Sequence, residues 1–270
     1  MATPFVKMHG LGNDFVVFDA RARALPGLSN DVVRRLADRH TGIGCDQLIV
    51  IEPPRDGGDA RMRIFNSDGG EVESCGNASR CVAQLIGRAR VETAGGVIEM
   101  APEGDGATVD MGTPRFDWDA IPLAYPMDTL DIPVGWDSLE RPTAVNVGNP
   151  HVIFFVDDLD AVPLSVLGPR IETDPLFPER INVNVAQLIA PDRLRLQVWE
   201  RGAGLTRACG TGACATAIAA MRRGLTGRKV DVELPGGALT IEWRADDHIA
   251  MTGPAATAFR GEVDLDAFAA

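Results

Sequence analysis

Short apolar runs separated by turn chemistry set the pattern of the chain. Residues 15–18 form a compact run that predicts a strand. Ser29 or Asn30 stands just ahead of Val33, Leu36 and Ala37, so a capped helix is expected there, ending near Gly42. Residues 47–51 and 62–65 read as strands, followed by the turn chemistry of Asn66-Ser67-Asp68-Gly69-Gly70. A helix of small residues then runs from Gly76 to Ile86 and stops at Gly87, with strands expected near 97–101 and 107–111. Residues 112–142, rich in proline and aspartate, interrupt the pattern as a domain connection or long loop.

Beyond that stretch the order recurs. Residues 145–156 predict one strand, 163–167 a short helical turn at most, and 182–189 and 194–199 two further strands. A second small-residue helix is expected over 211–221, closed by Gly224, with Arg222 and Arg223 at its negative end. Alternation through Val230, Val232 and Leu234, then Leu239, Ile241 and Trp243, predicts half-buried strands. The chain therefore reads as α+β, two divergent copies of one α/β unit, with domains at 1–116 and 117–259 and a tail at 260–270 that packs back on the first.

Each copy opens its small-residue helix with cysteine and glycine, Cys75-Gly76-Asn77 in the first and Cys209-Gly210-Thr211 in the second. A helix N-terminus offers unpaired N–H groups and a partial positive charge. Such a setting lowers a thiol pKa, and it lets Gly76, Asn77, Gly210 and Thr211 receive a substrate carboxylate beside the sulfur. With one sulfur on each face of an α-carbon, a thiolate removes the proton while the opposite thiol delivers another, inverting the centre. The remaining cysteines, Cys45, Cys81 and Cys214, read as core residues.

Composition narrows the partners. A net charge of −12 argues against nucleic acid and anionic membranes and favours a small-molecule substrate. No apolar run reaches membrane-spanning length, and the first residues lack the layout of an export signal, so reduced thiols in a cytoplasm are expected. Lys7 and Lys229 are the only lysines, and neither sits in a Schiff-base or phosphate-loop setting. The spacings of Cys75 with Cys81 and Cys209 with Cys214 do not suit a zinc knuckle, and His9, His40, His151 and His248 are scattered, so no metal is expected. His9-Gly10-Leu11-Gly12 mimics the start of a dinucleotide fingerprint but lacks its third glycine.

Taken together, Cys75-Gly76-Asn77-Ala78-Ser79-Arg80-Cys81, Glu200-Arg201-Gly202-Ala203-Gly204 and Ala208-Cys209-Gly210-Thr211-Gly212-Ala213-Cys214 resemble diaminopimelate epimerase. His9-Gly10-Leu11-Gly12-Asn13-Asp14-Phe15, Phe65-Asn66-Ser67-Asp68-Gly69 and Gly148-Asn149-Pro150-His151 resemble that family too, in the same order. The resemblance implies a cofactor-independent epimerase interconverting LL- and meso-2,6-diaminopimelate, a homodimer of chains whose two similar domains face a central cleft. It makes Cys75 and Cys209 the proton-transferring pair and matches Asn13, Gln47, Asn66, Asn149, Asn182, Glu200 and Arg201 to substrate-binding positions. His151 and Glu200 match positions that adjust the thiols. Asn184 lies two residues from Asn182 on the same predicted strand and shares its face; motif register selects Asn182. A proline or hydroxyproline racemase relative is the alternative within this chemistry, and a thiol redox or metal-binding protein the alternative outside it.

Overall fold

The computed structural model describes residues 2–73 and 75–269. Its chain clusters into two compact units, Met1–Val109 with Gly253–Ala270 and Asp110–Thr252. The boundaries fall at 109 and 252, seven residues before the expected 116 and 259.

The first unit runs β1 (Ala2–Gly10), β2 (Asn13–Asp19), α1 (Asn30–Ala37), β3 (Gln47–Glu52), β4 (Ala60–Asn66), β5 (Glu71–Val72), α2 (Gly76–Ile86), β6 (Ala89–Thr93), β7 (Gly96–Glu103) and β8 (Gly106–Asp110). In the second, a small hairpin of β9 (Gly135–Trp136) and β10 (Leu139–Glu140) precedes β11 (Thr143–Asn146) and β12 (Pro150–Phe155). Then come α3 (Leu164–Glu172), β13 (Asn182–Ala190), β14 (Arg193–Glu200), β15 (Gly204–Thr206), α4 (Gly210–Arg222), β16 (Lys229–Leu234), β17 (Gly237–Trp243) and β18 (Ile249–Pro254). Last, β19 (Ala256–Asp264) pairs antiparallel with β1 from Ala2 to His9, so main-chain hydrogen bonds tie the C-terminal segment to the first unit.

Strand pairing shows the duplication directly. In the first unit β1 and β2 are antiparallel, β2 and β3 parallel, β3 with β4 and β4 with β5 antiparallel, β4 and β6 parallel, and β6 with β7 and β7 with β8 antiparallel. The second unit repeats this sequence of pairings from β11 through β18 without a change. In both, each parallel pair is bridged by a crossover that contains a helix, since a hairpin cannot reverse direction twice.

Several expected elements are corrected. The apolar stretch 145–156 is two strands, because Gly148 at φ 104° turns the chain between β11 and β12. Helix α1 takes Ser29 as its cap, with Val32 N–H donating to Ser29 Oγ at 3.3 Å, but stops at Ala37 and not near Gly42. The following segment instead folds back, and the N–H groups of Ile43, Gly44 and Cys45 satisfy the helix's last carbonyls, on Leu36 and Ala37. The apparent dinucleotide motif is a two-residue hairpin turn: Leu11 and Gly12 both have positive φ, and Gly10 pairs with Asn13.

The largest correction is α3, a helix of nine residues where only a turn was expected. Gly168 and Pro169 read as breakers, yet Leu164, Leu167 and Ile171 bury one face in the core with Phe154, Phe177, Val183 and Val185. That burial outweighs the propensity cost. Gly168 is required there, since a Cβ would lie 2.5 Å from Cγ of the Trp199 indole.

The first unit's core gathers Val33, Leu36, Val16, Phe18, Leu48, Val50 and Phe65, with Leu265 from the C-terminal segment. The second unit wraps β11, β12, β13, β14, β16 and β17 around α4. Ten of that helix's residues are buried, nearly all Gly, Ala, Cys or Thr, which lets strands approach it from every side. A helix so enclosed holds its N-terminus in a fixed place.

Candidate active site

Most of the expected site residues of the second unit collect at one end of its central helix. Asn146 Oδ1 accepts from Gly148 N–H at 2.8 Å, a local turn that sets the β11–β12 hairpin and presents Asn149 and His151. His151 pairs in parallel register with Asn182 on the next strand. Asn182 Nδ2 donates to the Pro150 carbonyl at 2.8 Å, and its Oδ1 accepts from Arg201 N–H at 2.9 Å, so one side chain ties β12 to the turn after β14. Glu172, the last residue of α3, holds the same turn by accepting from Trp199 Nε1 at 2.7 Å and Gly202 N–H at 3.0 Å. This buried carboxylate is absent from the sequence reading, which ended the helix before reaching it.

Cys209 is the N-cap residue of α4, where its sulfur accepts from Gly212 N–H at 3.3 Å and lies 3.5 Å from Thr211 Oγ1. Gly212 makes this close approach possible; a Cβ there would meet Val198 Cγ2 at 2.9 Å and the sulfur at 3.1 Å. The expectation of a lowered thiol pKa is corrected at this position. Burial, and next the nearby Glu200 carboxylate, push the Cys209 thiol above its ordinary value, outweighing the bonds from Thr211 and Gly212 that favour a thiolate. Burial also raises Glu200, opposed by hydrogen bonds from Thr206 and Cys209.

His151 is fully buried, with Nδ1 at 3.1 Å from Asn184 Oδ1 and Nε2 at 3.0 Å from Asn149 Oδ1. Burial pushes its pKa down to about 4, helped by the charge of Arg201 and opposed by Asn184. The folded protein therefore binds a proton here less readily than the unfolded chain, and stability from this group falls as pH drops from about 6.5 toward 4. Between pH 6.5 and pH 5 the loss should be about 1.5 kcal/mol, less than a slope of roughly 1.4 kcal/mol per pH unit would give throughout, because the unfolded histidine is only half protonated at pH 6.5. Denaturant unfolding at both pH values should show that drop in the wild type and a smaller one in His151→Gln; equal drops would place the titration elsewhere.

In the first unit the equivalent positions keep some of these groups and replace others. Asn13 and Asn149 both follow a positive-φ glycine at the start of equivalent strands, and Asn66 precedes Cys75 by nine residues as Glu200 precedes Cys209 (75 − 66 = 209 − 200). Phe15, fully buried, stands where the second unit has His151. Asn13 Nδ2 donates to Asp46 Oδ2 at 3.0 Å, and its Oδ1 accepts from Asn77 Nδ2 at 3.2 Å. Arg80, with no exposed surface, donates to Asn77 Oδ1 at 3.0 Å, completing a chain that fixes the first turn of α2. Gln47 Nε2 donates to Asn66 Oδ1 at 2.9 Å, while Gln47 Oε1 is buried and takes no hydrogen bond from any described residue. An acceptor left in this state suits a ligand donor.

Cys75 holds the N-cap position of α2 as Cys209 holds that of α4, but without the side-chain cap bond that Cys209 accepts; Ser79 N–H and Oγ both donate to the Cys75 carbonyl at 3.0 Å, and Cys75 is half-buried where Cys209 is 4% exposed. Cys45, Cys81 and Cys214 lie in the core, and all five cysteines are thiols. Burial raises Cys45 to about 11 and Cys81 to about 12, so neither ionises near neutrality. Among the described residues no cluster of three His, Cys, Asp or Glu side chains is placed to hold a metal ion, and no helix is long and apolar enough to cross a membrane.

A family model described as diaminopimelate epimerase matches residues 5–116 and 143–258. A diaminopimelate epimerase from Erythrobacter litoralis is 72% identical over 265 residues, covering 98% of both chains. One from Rhizorhabdus wittichii is 61% identical, covering all of this chain and 98% of its own. Among solved structures, a phenazine biosynthesis protein of the PhzF family from Enterococcus faecalis superposes with a TM-score of 0.71 at 13% identity, over 98% of this chain and all of the other. A hydroxyproline epimerase from Agrobacterium vitis gives 0.68 at 18%, over 98% and 93%. These two share the fold.

Proposed function

From the premise that this chain belongs to the diaminopimelate epimerase family, we propose that its reaction, the interconversion of LL- and meso-2,6-diaminopimelate on the route to lysine, runs through Cys75 and Cys209 on opposite faces of one α-carbon. The observation that carries this reading is the duplication itself: at the same point in an identical series of strand pairings, each unit sets a helix whose N-cap is a cysteine followed by glycine.

The reacting carboxylate lies against the N–H groups of Gly76 and Asn77 from one helix and Gly210 and Thr211 from the other. Those groups are fixed before the substrate arrives, so charge that builds on the carboxylate as the α-proton leaves meets donors already in place. The relay needs one thiol and one thiolate at a time, and the pair titrates together. Burial and Glu200 favour the thiol form of Cys209, which suits it to deliver the proton to the substrate epimer whose α-proton faces Cys75. After one inversion the roles are reversed, and solvent exchange or the reverse reaction resets them.

At the far end of the substrate, Arg201 grips the second carboxylate through its planar fork, while the carboxamides of Asn13, Gln47, Asn66, Asn149 and Asn182 sort ammonium from carboxylate. Gln47 Oε1 is one acceptor awaiting such a donor. A cytoplasmic homodimer is proposed on the family resemblance and on the five thiols, which a reducing compartment preserves.

The purified protein, with chelator present, should interconvert LL- and meso-diaminopimelate and leave proline and hydroxyproline unchanged. Racemisation of proline without turnover of diaminopimelate would overturn the substrate assignment. Disulfide reductase activity without epimerisation would overturn the reaction class.

A further inference from the structure

The buried pair His151 and Asn184 poses a donor-acceptor problem whose solution reaches the substrate. Both ring nitrogens of His151 face the carboxamide oxygen of an asparagine, Asn184 Oδ1 at 3.1 Å and Asn149 Oδ1 at 3.0 Å. Only an imidazolium could donate to both. The ring has no exposed surface and lies near Arg201, a setting in which the neutral form prevails. A neutral imidazole donates once and accepts once, so one of the two carboxamides must present its nitrogen.

Which one turns is decided by helix α4. Asn184 Nδ2 donates to the Gly212 carbonyl at 2.9 Å and to Thr216 Oγ1 at 2.9 Å, and Asn184 and Thr216 are both fully buried. A backbone carbonyl can only accept, so reversing Asn184 would set two oxygens against each other without water to separate them. Asn184 is therefore locked with Oδ1 toward His151. Asn149 has no such constraint: it is half-buried and its side chain bonds to the ring alone among the described residues.

We propose that Asn184 is a positioning residue: it holds the single proton of His151 on Nδ1, so that Nε2 accepts from the Asn149 amide and the Asn149 carboxamide oxygen is turned toward the ligand. This rests on the reading above that Asn149 contacts diaminopimelate. Oxygen in that place accepts from an ammonium group of the substrate, whereas the opposite orientation would present N–H to N–H. The same bonds tie Asn184 to Gly212, the residue whose N–H supports Cys209, so the ammonium acceptor and the thiol are set by one buried carboxamide. Asn184, though on the same strand face as Asn182, is fully buried, with both amide N–H groups given to α4 and its oxygen to His151.

The test is the nitrogen spectrum of the enzyme labelled with 15N-histidine, with His151→Gln assigning the His151 signals. At pH 7 the proton is expected on Nδ1 alone; a proton on Nε2, or on both nitrogens, would overturn the proposal from the wild-type protein itself. Thr216→Val, which leaves the Gly212 carbonyl to Asn184, should keep the proton on Nδ1. In Asn184→Leu the proton should move to Nε2 and KM for diaminopimelate should rise about tenfold, the factor for loss of one hydrogen bond of about 1.4 kcal/mol. An Asn184→Leu enzyme with unchanged tautomer and KM would refute the positioning role. Asn149→Ala separates the two claims: an unchanged KM there would remove Asn149 from the substrate, whatever the tautomer proves to be.

Discussion

Cys75→Ala and Cys209→Ala are each expected to lose about 10³-fold or more in kcat, because an acid or base in proton transfer contributes roughly 10²–10⁴-fold and the relay stops when either face is empty. Non-additivity is the sharper expectation. Once one sulfur is gone the other has no partner, so the double variant should be scarcely slower than either single one. Both cysteines sit at N-cap positions with their backbone bonds intact, Ser79 N–H to the Cys75 carbonyl and Ala213 N–H to the Cys209 carbonyl at 3.0 Å, so the helices should survive the change. Circular dichroism checks that point. Mild alkylation of the resting wild type should mark Cys75 before Cys209, which is 4% exposed and held as a thiol. Substantial epimerisation by either single variant would end the two-sulfur account.

Arg201→Met should cost about 10²-fold or more in kcat/KM, with the loss carried by KM. On the proposed reading the guanidinium binds a carboxylate that takes no part in bond-making, so it stabilises bound substrate and transition state alike. Its backbone N–H, which anchors Asn182 at 2.9 Å, is untouched by the substitution, and Nη1 gives up only its bond to the Glu179 carbonyl. Methionine keeps the apolar stem and removes the fork. Lysine restores charge without the paired donors and should recover part of the loss. A fall in kcat at unchanged KM would move Arg201 to the reacting end of the site.

Much of this site is legible in the residues because its chemistry depends on local signals. Cysteine and glycine before a small-residue helix mark a helix N-terminus wherever they fall, and the structure places Cys75 and Cys209 at those N-caps. The α+β duplication is legible for the same reason, since the order of periodic segments survives divergence of the side chains. What sequence hides is cooperative. Helix α3 forms through Gly168-Pro169 because Leu164, Leu167 and Ile171 bury one face in the core, and Gly168 leaves room for Trp199 from a distant strand. Glu172 then becomes a buried anchor for the Arg201 turn, a role no local pattern announces. A lowered thiol was the natural expectation at a helix N-terminus, but burial and Glu200 reverse it at Cys209. Pattern alone places Asn182 and Asn184 on one strand face and says nothing of their partners. Three buried partners settle Asn184 as a residue turned inward, to His151, Gly212 and Thr216.

Epimerisation in heavy water, followed in the first turnovers from LL- and from meso-diaminopimelate, tests the central claim most directly. With one sulfur on each face, the proton removed by one thiolate differs from the one delivered by the opposite thiol. The inverted product should therefore carry deuterium at its α-carbon while recovered substrate carries none, in both directions. Product that retains the substrate's own proton would show a single base serving both faces and would contradict the account.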